Sequence, residues 1–315
     1  MSRSSNLFFD LSHFAMLEAS GDDAADFLQN QLTCDINKLP PDEWCFCGWC
    51  LPNGRTICTF ILFRRDDRFY FILPAMLKDK IMKRLGMYIL RAEVTLKDVS
   101  EDFALLGLSG ESIESTLKVS NITFDNNGYS VHTNADLSVL GLWNSTPRCI
   151  VICPIDRLST LSKRIRIAFE EGDRSTWSLL DIEAGIPWIT EAISEAFIPQ
   201  MLNLDRMQGL SFQKGCYPGQ EVISRLYFRG ELKRRLYLGQ GEGSITPGAG
   251  DQLEVTDSGK LAGDIVDAER HPDGGFRFLA VTQIDAAEKH SLRLRGGENN
   301  PVSLQPLHYP ESHPH

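Results

Sequence analysis

With 315 residues, 42% hydrophobic and 23% charged, the chain has ordinary globular composition and enough length for two or three packed units. A formal net charge of -10 sets the molecule as a whole against polyanion binding, so any RNA contact would need a local basic patch. The apolar stretch before Asp10 is too short for a signal-peptide core or a membrane span, so the expected location is the cytoplasm, with no membrane partner. Eight cysteines, at 34, 45, 47, 50, 58, 149, 153 and 216, are few for a disulfide scaffold of this length, and reduced thiols are expected.

Residues 15 to 36 open on an apolar stretch, and Ser20-Gly21-Asp22-Asp23 then precedes Ala24, Phe27, Leu28 and Leu32 at helical spacing. Strand, turn and helix are predicted in that order. From Trp44 to Phe63, aromatic and β-prone residues flank Leu51-Pro52-Asn53-Gly54-Arg55, which predicts a β-hairpin. Phe69 to Leu73 reads as a strand, Met76 to Leu90 as a helix and Val94 to Leu96 as a further strand, the grammar of a split βαβ layer. Residues 103 to 170 repeat it: a strand at Phe103 to Leu108, a helix near Glu111 to Val119, strands near Ile150 and a helix through Ile165 and Phe169. After about residue 236, glycine, proline and aspartate punctuate short apolar runs (Gln252 to Val255, Leu261 to Val266, Phe276 to Val281), which suits a small antiparallel barrel. The last residues, Glu311 to His315, read as a frayed tail.

The most informative stretch is Gln213-Lys214-Gly215-Cys216-Tyr217-Pro218-Gly219-Gln220-Glu221, whose glycines and proline predict a shaped loop. Lys214, two residues before Cys216, with Arg225 further on, can supply positive potential that favours the thiolate, making Cys216 a nucleophile, a metal ligand or a redox group. On spacing alone, a packed cysteine beside a solvent-facing lysine fits as well.

Lys-Gly-Cys-Tyr-x-Gly-Gln-Glu, here from Lys214 to Glu221, is preceded by Phe197-Ile198-Pro199-Gln200 and by Asp181-Ile182-Glu183-Ala184-Gly185. Together with Gly21, Phe27-Leu28-Gln29, Leu32-Thr33, Asp35 and Asn53-Gly54-Arg55, these residues resemble the YgfZ family. The resemblance implies an α+β fold shared with the glycine-cleavage aminomethyltransferase. Residues 1–235 would hold two ferredoxin-like modules that need not be continuous, the second near 100–175, and 236–315 an antiparallel β-barrel. It implies tetrahydrofolate or a derivative as cofactor in a central opening, with Phe14, Trp177 and Asp35 as its expected contacts. A pterin needs flat apolar walls and a few placed polar groups, which Phe14 and Trp177 could supply. Phe14 stands where the family often has tryptophan, so a ring face is kept and an indole N–H lost. Read without the resemblance, Phe14 and Trp177 are core aromatics and Asp35 a capping or turn residue.

The implied function is that of a folate-binding accessory protein in the assembly or repair of iron–sulfur enzymes that thiomethylate tRNA, with those enzymes or their assembly proteins as partners and tRNA contact indirect. Cys216 would act as a thiolate tuned by Lys214, Gly215 and Gly219 would shape the loop with Tyr217, and Gln220 and Glu221 would anchor it. Two other readings stay open: a folate-dependent aminomethyltransferase or demethylase using Asp35, and a non-catalytic folate-sensing interaction protein.

Two further signals compete. Cys45-Phe46-Cys47-Gly48-Trp49-Cys50 invites a metal, yet on a strand Cys45 and Cys47 share one face and Cys50 the other, so no metal site is expected. Arg225, Arg229, Lys233, Arg234 and Arg235 form the densest basic run and are read as a solvated strand pair rather than an RNA surface. Histidines stand at no metal-ligand spacing.

Overall fold

The first strand does not pair with the strand that follows it. In the computed structural model, which describes residues 6–125, 128–243, 245–296 and 301–310, Leu7–Asp10 lies antiparallel to Phe103–Ser109, with Leu7 opposite Ser109. The second α+β unit is therefore discontinuous. Its six-stranded sheet runs Glu170–Glu171, Leu7–Asp10, Phe103–Ser109, Arg148–Pro154, Ser138–Leu142, Val131–Thr133. Alternate side chains leave a strand on opposite faces. Phe8, Leu108 and Val151 meet Ile113, Leu117, Leu161 and Ile165 of two covering helices. Phe9, Leu105 and Ile150 face the other way, into the principal core.

The first unit is an antiparallel five-stranded sheet in the order Trp44–Cys50, Thr56–Arg65, Arg68–Pro74, Phe14–Ser20, Thr95–Asp98. The predicted hairpin pairs Trp44 with Phe63 across the turn at 51–55. Helices Ala24–Gln29 and Lys78–Gly86 belong to this unit, the second shorter than the apolar spacing predicts. From Arg234 onward six strands close into a barrel, with Leu253, Ile265, Phe276, Phe278 and Leu292 inside it. Closure leaves no unpaired edge.

Helix Arg174–Ala184 ties these parts together. Asp173 caps its start by accepting from Thr176 N at 2.8 Å, and Gly185 ends it in the left-handed conformation. On it, Asp181 accepts from Arg148 of the second sheet at 2.8 Å and from the Trp188 indole at 2.9 Å. The Arg148 guanidinium lies 5.2 Å from the Trp177 ring centroid, and the whole group is buried. One apolar core runs from the first sheet (Leu17, Ile61) through the second (Ile150) and Trp188 into the barrel (Leu236, Val281).

The basic run is not a strand pair. Gln220–Arg229 is a helix, started at Gly219 and stopped at Gly230, and the strand begins only at Arg234. Ile223 is buried against the core and Leu226, three positions on, is half-buried, while the charged residues between and after them face out. The tail from 311 lies outside the described residues. All eight cysteines are free thiols. Among the described residues no helix is long and apolar enough to cross a membrane.

Candidate functional site

Residues 213 to 219 form an irregular loop leading into helix Gln220–Arg229. Gly219 has φ +85°, and a Cβ there would come within 2.7 Å of Gly54 Cα and of the Leu51 carbonyl oxygen. The loop thus rests backbone on backbone against the Asn53-Gly54-Arg55 turn, itself made possible by Gly54 at φ +80°. Gln220 Nε2 donates to the Lys214 carbonyl at 3.2 Å, and the buried Tyr217 hydroxyl donates to the Ser211 carbonyl at 3.2 Å. Glu221 anchors nothing in the loop: it pairs with Arg225 at 2.7 Å on the exposed face of the helix. Gly215 meets nothing within 4 Å of an added Cβ, so no close approach demands a glycine there. Cys216 is exposed, whereas the other cysteines are buried or half-buried.

The Lys214 side chain is bonded to a distant segment of the chain. Its Nζ donates to the carbonyls of Leu32 at 2.7 Å and Cys34 at 2.6 Å, and sits 5.0 Å from the Tyr217 ring centroid. Those carbonyls lie in a segment stitched to strand Trp44–Cys50. Thr33 N donates to Gly48 O at 3.0 Å, and Thr33 Oγ1 accepts from Gly48 N at 2.9 Å and donates to Gly209 O at 2.6 Å. Gly209 in turn presses against the strand, where a Cβ would fall 1.7 Å from Phe46 O.

This stitching brings Cys34 beside Cys45 and Cys47, with the three Sγ atoms within 4.8 Å of one another. Sequence spacing had set Cys45 and Cys47 on one face of the strand and Cys50 on the other, with no metal site expected. The pairing of 45 and 47 on one face holds, but a bulge lies between Trp49 and Cys50, and Cys50 turns to Thr56. The third thiol comes from another element, which spacing within one strand has no means of revealing. Hydrogen bonds from Cys45 and then Cys47 hold the Cys34 thiol well below the usual range, and the nearby Lys214 charge adds to this. The bond to Cys34 pushes the Cys45 thiol up, and burial, followed by the bond to Cys34, does so for Cys47. Burial lowers the pKa of Lys214, against the raising influence of Cys34, Cys47, Asp35 and Cys45.

A cavity of about 530 Å³ opens beside this cluster, with Cys34, Asp35, Trp44, Cys45, Tyr129 and Phe212 in its wall. Trp44 stacks on Trp143 with centroids 5.2 Å apart and donates its indole N–H to Gly141 O at 2.7 Å. Asp35 accepts from Gln29 Nε2 at 2.9 Å. Of the three expected folate contacts, Asp35 alone borders this cavity. Phe14 lines a separate hollow of about 410 Å³ and packs on Trp188 at 4.6 Å. Trp177, as buried as Trp44, is wedged against Phe9 and Gly107 under Arg148 and lines neither of these two hollows. Its role is packing. Trp44 and Tyr129, which sequence reasoning did not single out, border the cavity instead. Three members of the basic run are paired with carboxylates: Arg225 with Glu221, Arg234 with Asp264 and Arg235 with Asp205.

Two α+β units joined through one core to a closed barrel define the aminomethyltransferase fold. The GCVT N-terminal domain family matches residues 1–142. The glycine cleavage system aminomethyltransferase T from Bartonella henselae has the same fold, with a TM-score of 0.81 at 17% identity, covering 97% of this chain and 86% of that one. Nearer in sequence are proteins described as "tRNA-modifying protein YgfZ". The one from Sodalis glossinidius is 32% identical over 301 residues, 95% of this chain and 92% of that protein. The one from Edwardsiella ictaluri is 32% identical over 307 residues, 95% and 91% of the two chains. The chain belongs to the YgfZ family.

Proposed function

We propose that this chain is a tetrahydrofolate-binding accessory protein that supports iron–sulfur enzymes, among them those that thiomethylate tRNA, and that it does so through the thiol of Cys216. The observation that carries the reading is the contrast among its cysteines: seven are buried or half-buried, and the exposed one stands in the motif loop. That loop is held by Gly219 on the 51–55 turn and by Gln220 and Tyr217, so the sulfur is presented on a fixed support. An exposed thiol can reach the iron or sulfide of a partner protein, which a buried one cannot.

The cavity beside Asp35 supports the folate part. Its volume lies in the usual range for small-molecule sites, and aromatic residues Trp44, Tyr129, Phe212 and Tyr227 are among those lining it. Asp35 is a carboxylate suited to the N–H edge of a pterin. When bound, a reduced folate supplies a carrier for one-carbon units; the chain's own part is to stack the ring and orient it by Asp35. The expected location is the cytoplasm.

The test has two arms. Cells lacking the native protein should regain thiomethylated tRNA with the wild-type chain and not with Cys216→Ala, whose fold is checked by circular dichroism. Full restoration by Cys216→Ala would remove the thiol from the function. Tetrahydrofolate should quench tryptophan fluorescence, and Trp44→Phe should abolish most of that quenching.

A further inference from the structure

We propose that Cys34, Cys45 and Cys47 form a binding site for one thiophilic divalent metal ion of the zinc type, with its fourth position open to the cavity. The inference does not rest on the folate reading, although the ion's open position faces the same cavity.

Geometry argues for a single ion. Three Sγ atoms already lie within 4.8 Å of one another, and a tetrahedral ion with metal–sulfur bonds of about 2.3 Å holds its sulfurs roughly 3.8 Å apart. Small side-chain rotations close that difference. A four-iron cubane holds each cysteine on a different iron, spreading the sulfurs further than this cluster does. Two of the ligands are fixed by the period of a strand, Cys45 and Cys47 leaving the same face of Trp44–Cys50. The third is fixed by the Thr33 bonds to Gly48 and Gly209.

Charge argues for a divalent ion. Three thiolates around a dication carry one net negative charge, and the Lys214 ammonium, bonded to the Cys34 carbonyl, supplies one positive charge beside it. The three sulfurs, the dication and this ammonium then sum to zero charge, with the Asp35 carboxylate further along the same wall. Cys34 and Cys45 border the cavity while Cys47 is fully buried, so water or a small anionic or thiol ligand can complete the shell from that side. On binding, the thiol protons leave to solvent and each sulfur gives an electron pair to the ion; nothing is oxidised or reduced.

Co²⁺ serves as the spectroscopic probe and Zn²⁺ as the competitor, both added to full-length protein purified under reducing, anaerobic conditions. One equivalent of Co²⁺ should give a thiolate-to-cobalt charge-transfer band and the visible bands of a tetrahedral site, both erased by one equivalent of Zn²⁺. Cys34→Ser and Cys47→Ser should each weaken Zn²⁺ binding by at least about a hundredfold. Cys50→Ser and Cys216→Ser should bind as the wild type does. Lys214→Met should keep the cobalt spectrum and lose about tenfold in affinity, as an outer-shell residue does. The wild-type spectrum decides the matter even if a serine variant fails to fold. Absence of the charge-transfer band, octahedral cobalt bands, or binding lost in Cys50→Ser but kept in Cys34→Ser would overturn the assignment.

Discussion

Asp267, on the barrel strand Leu261–Arg270, has its carboxyl pushed up to about 7, chiefly by burial, against the bond it accepts from Ala268 N. A folded pKa above the unfolded 3.8 means that the unfolded chain releases the proton first, so stability falls as pH rises from about 4 to about 7. Asp267→Asn should therefore stabilise at pH 8 and change little at pH 4, as thermal melts at the two pH values would show. A dry site would give roughly 4 kcal/mol, and because Asp267 keeps part of its surface open the gain is set at about 2 kcal/mol. The pair Arg148–Asp181 behaves differently, since removing one partner strands a buried charge. Arg148→Ala should cost about 3–5 kcal/mol in urea titrations, and Arg148→Met with Asp181→Leu should recover most of that loss. Sequence reasoning picked out Cys216 and Lys214 from their motif but gave no sign of where the Lys214 ammonium binds. The lysine's neighbour in sequence is Cys216; its neighbours in space, Leu32 and Cys34, are some 180 positions away. No spacing rule connects them.

At the level of elements, two glycines in the same loop make opposite predictions. Gly219→Ala meets a left-handed φ and backbone atoms at 2.7 Å, neither of which can yield cheaply, and should destabilise by at least about 2 kcal/mol. Gly215→Ala meets open space and should shift the melting midpoint little. Equal effects of the two substitutions in paired thermal melts would contradict the packing of loop on turn. The strands from 44 to 74 and the barrel runs were legible because alternation, aromatic content and turn residues agreed there. Helix Gln220–Arg229 was not, since the charges at 229, 231, 233 and 235, which run on from its last residue, alternate as on a strand and the run was read as one piece. Nor could local pattern show that Leu7–Asp10 belongs with Phe103–Ser109, because a strand's sequence records its faces and not its partner.

For the whole molecule, the shared core predicts one cooperative transition: far-UV circular dichroism and tryptophan fluorescence should give coincident urea midpoints. Arg235, bound by both its terminal nitrogens to Asp205 at 3.0 and 2.8 Å, is the polar rivet between barrel and connecting loop. Arg235→Met should lower both midpoints together; separate transitions would mean that the barrel melts alone. The path of the first strand adds a constraint on biosynthesis. Leu7–Asp10 leaves the ribosome early, yet its antiparallel partner follows only after about a hundred further residues, by which time the intervening five-stranded unit can already have formed. That strand must wait unpaired and then slot between Phe103–Ser109 and Glu170–Glu171. Slow, chaperone-sensitive maturation is the expected result, and bulky amino-terminal fusions should lower the yield of native protein more than carboxy-terminal ones.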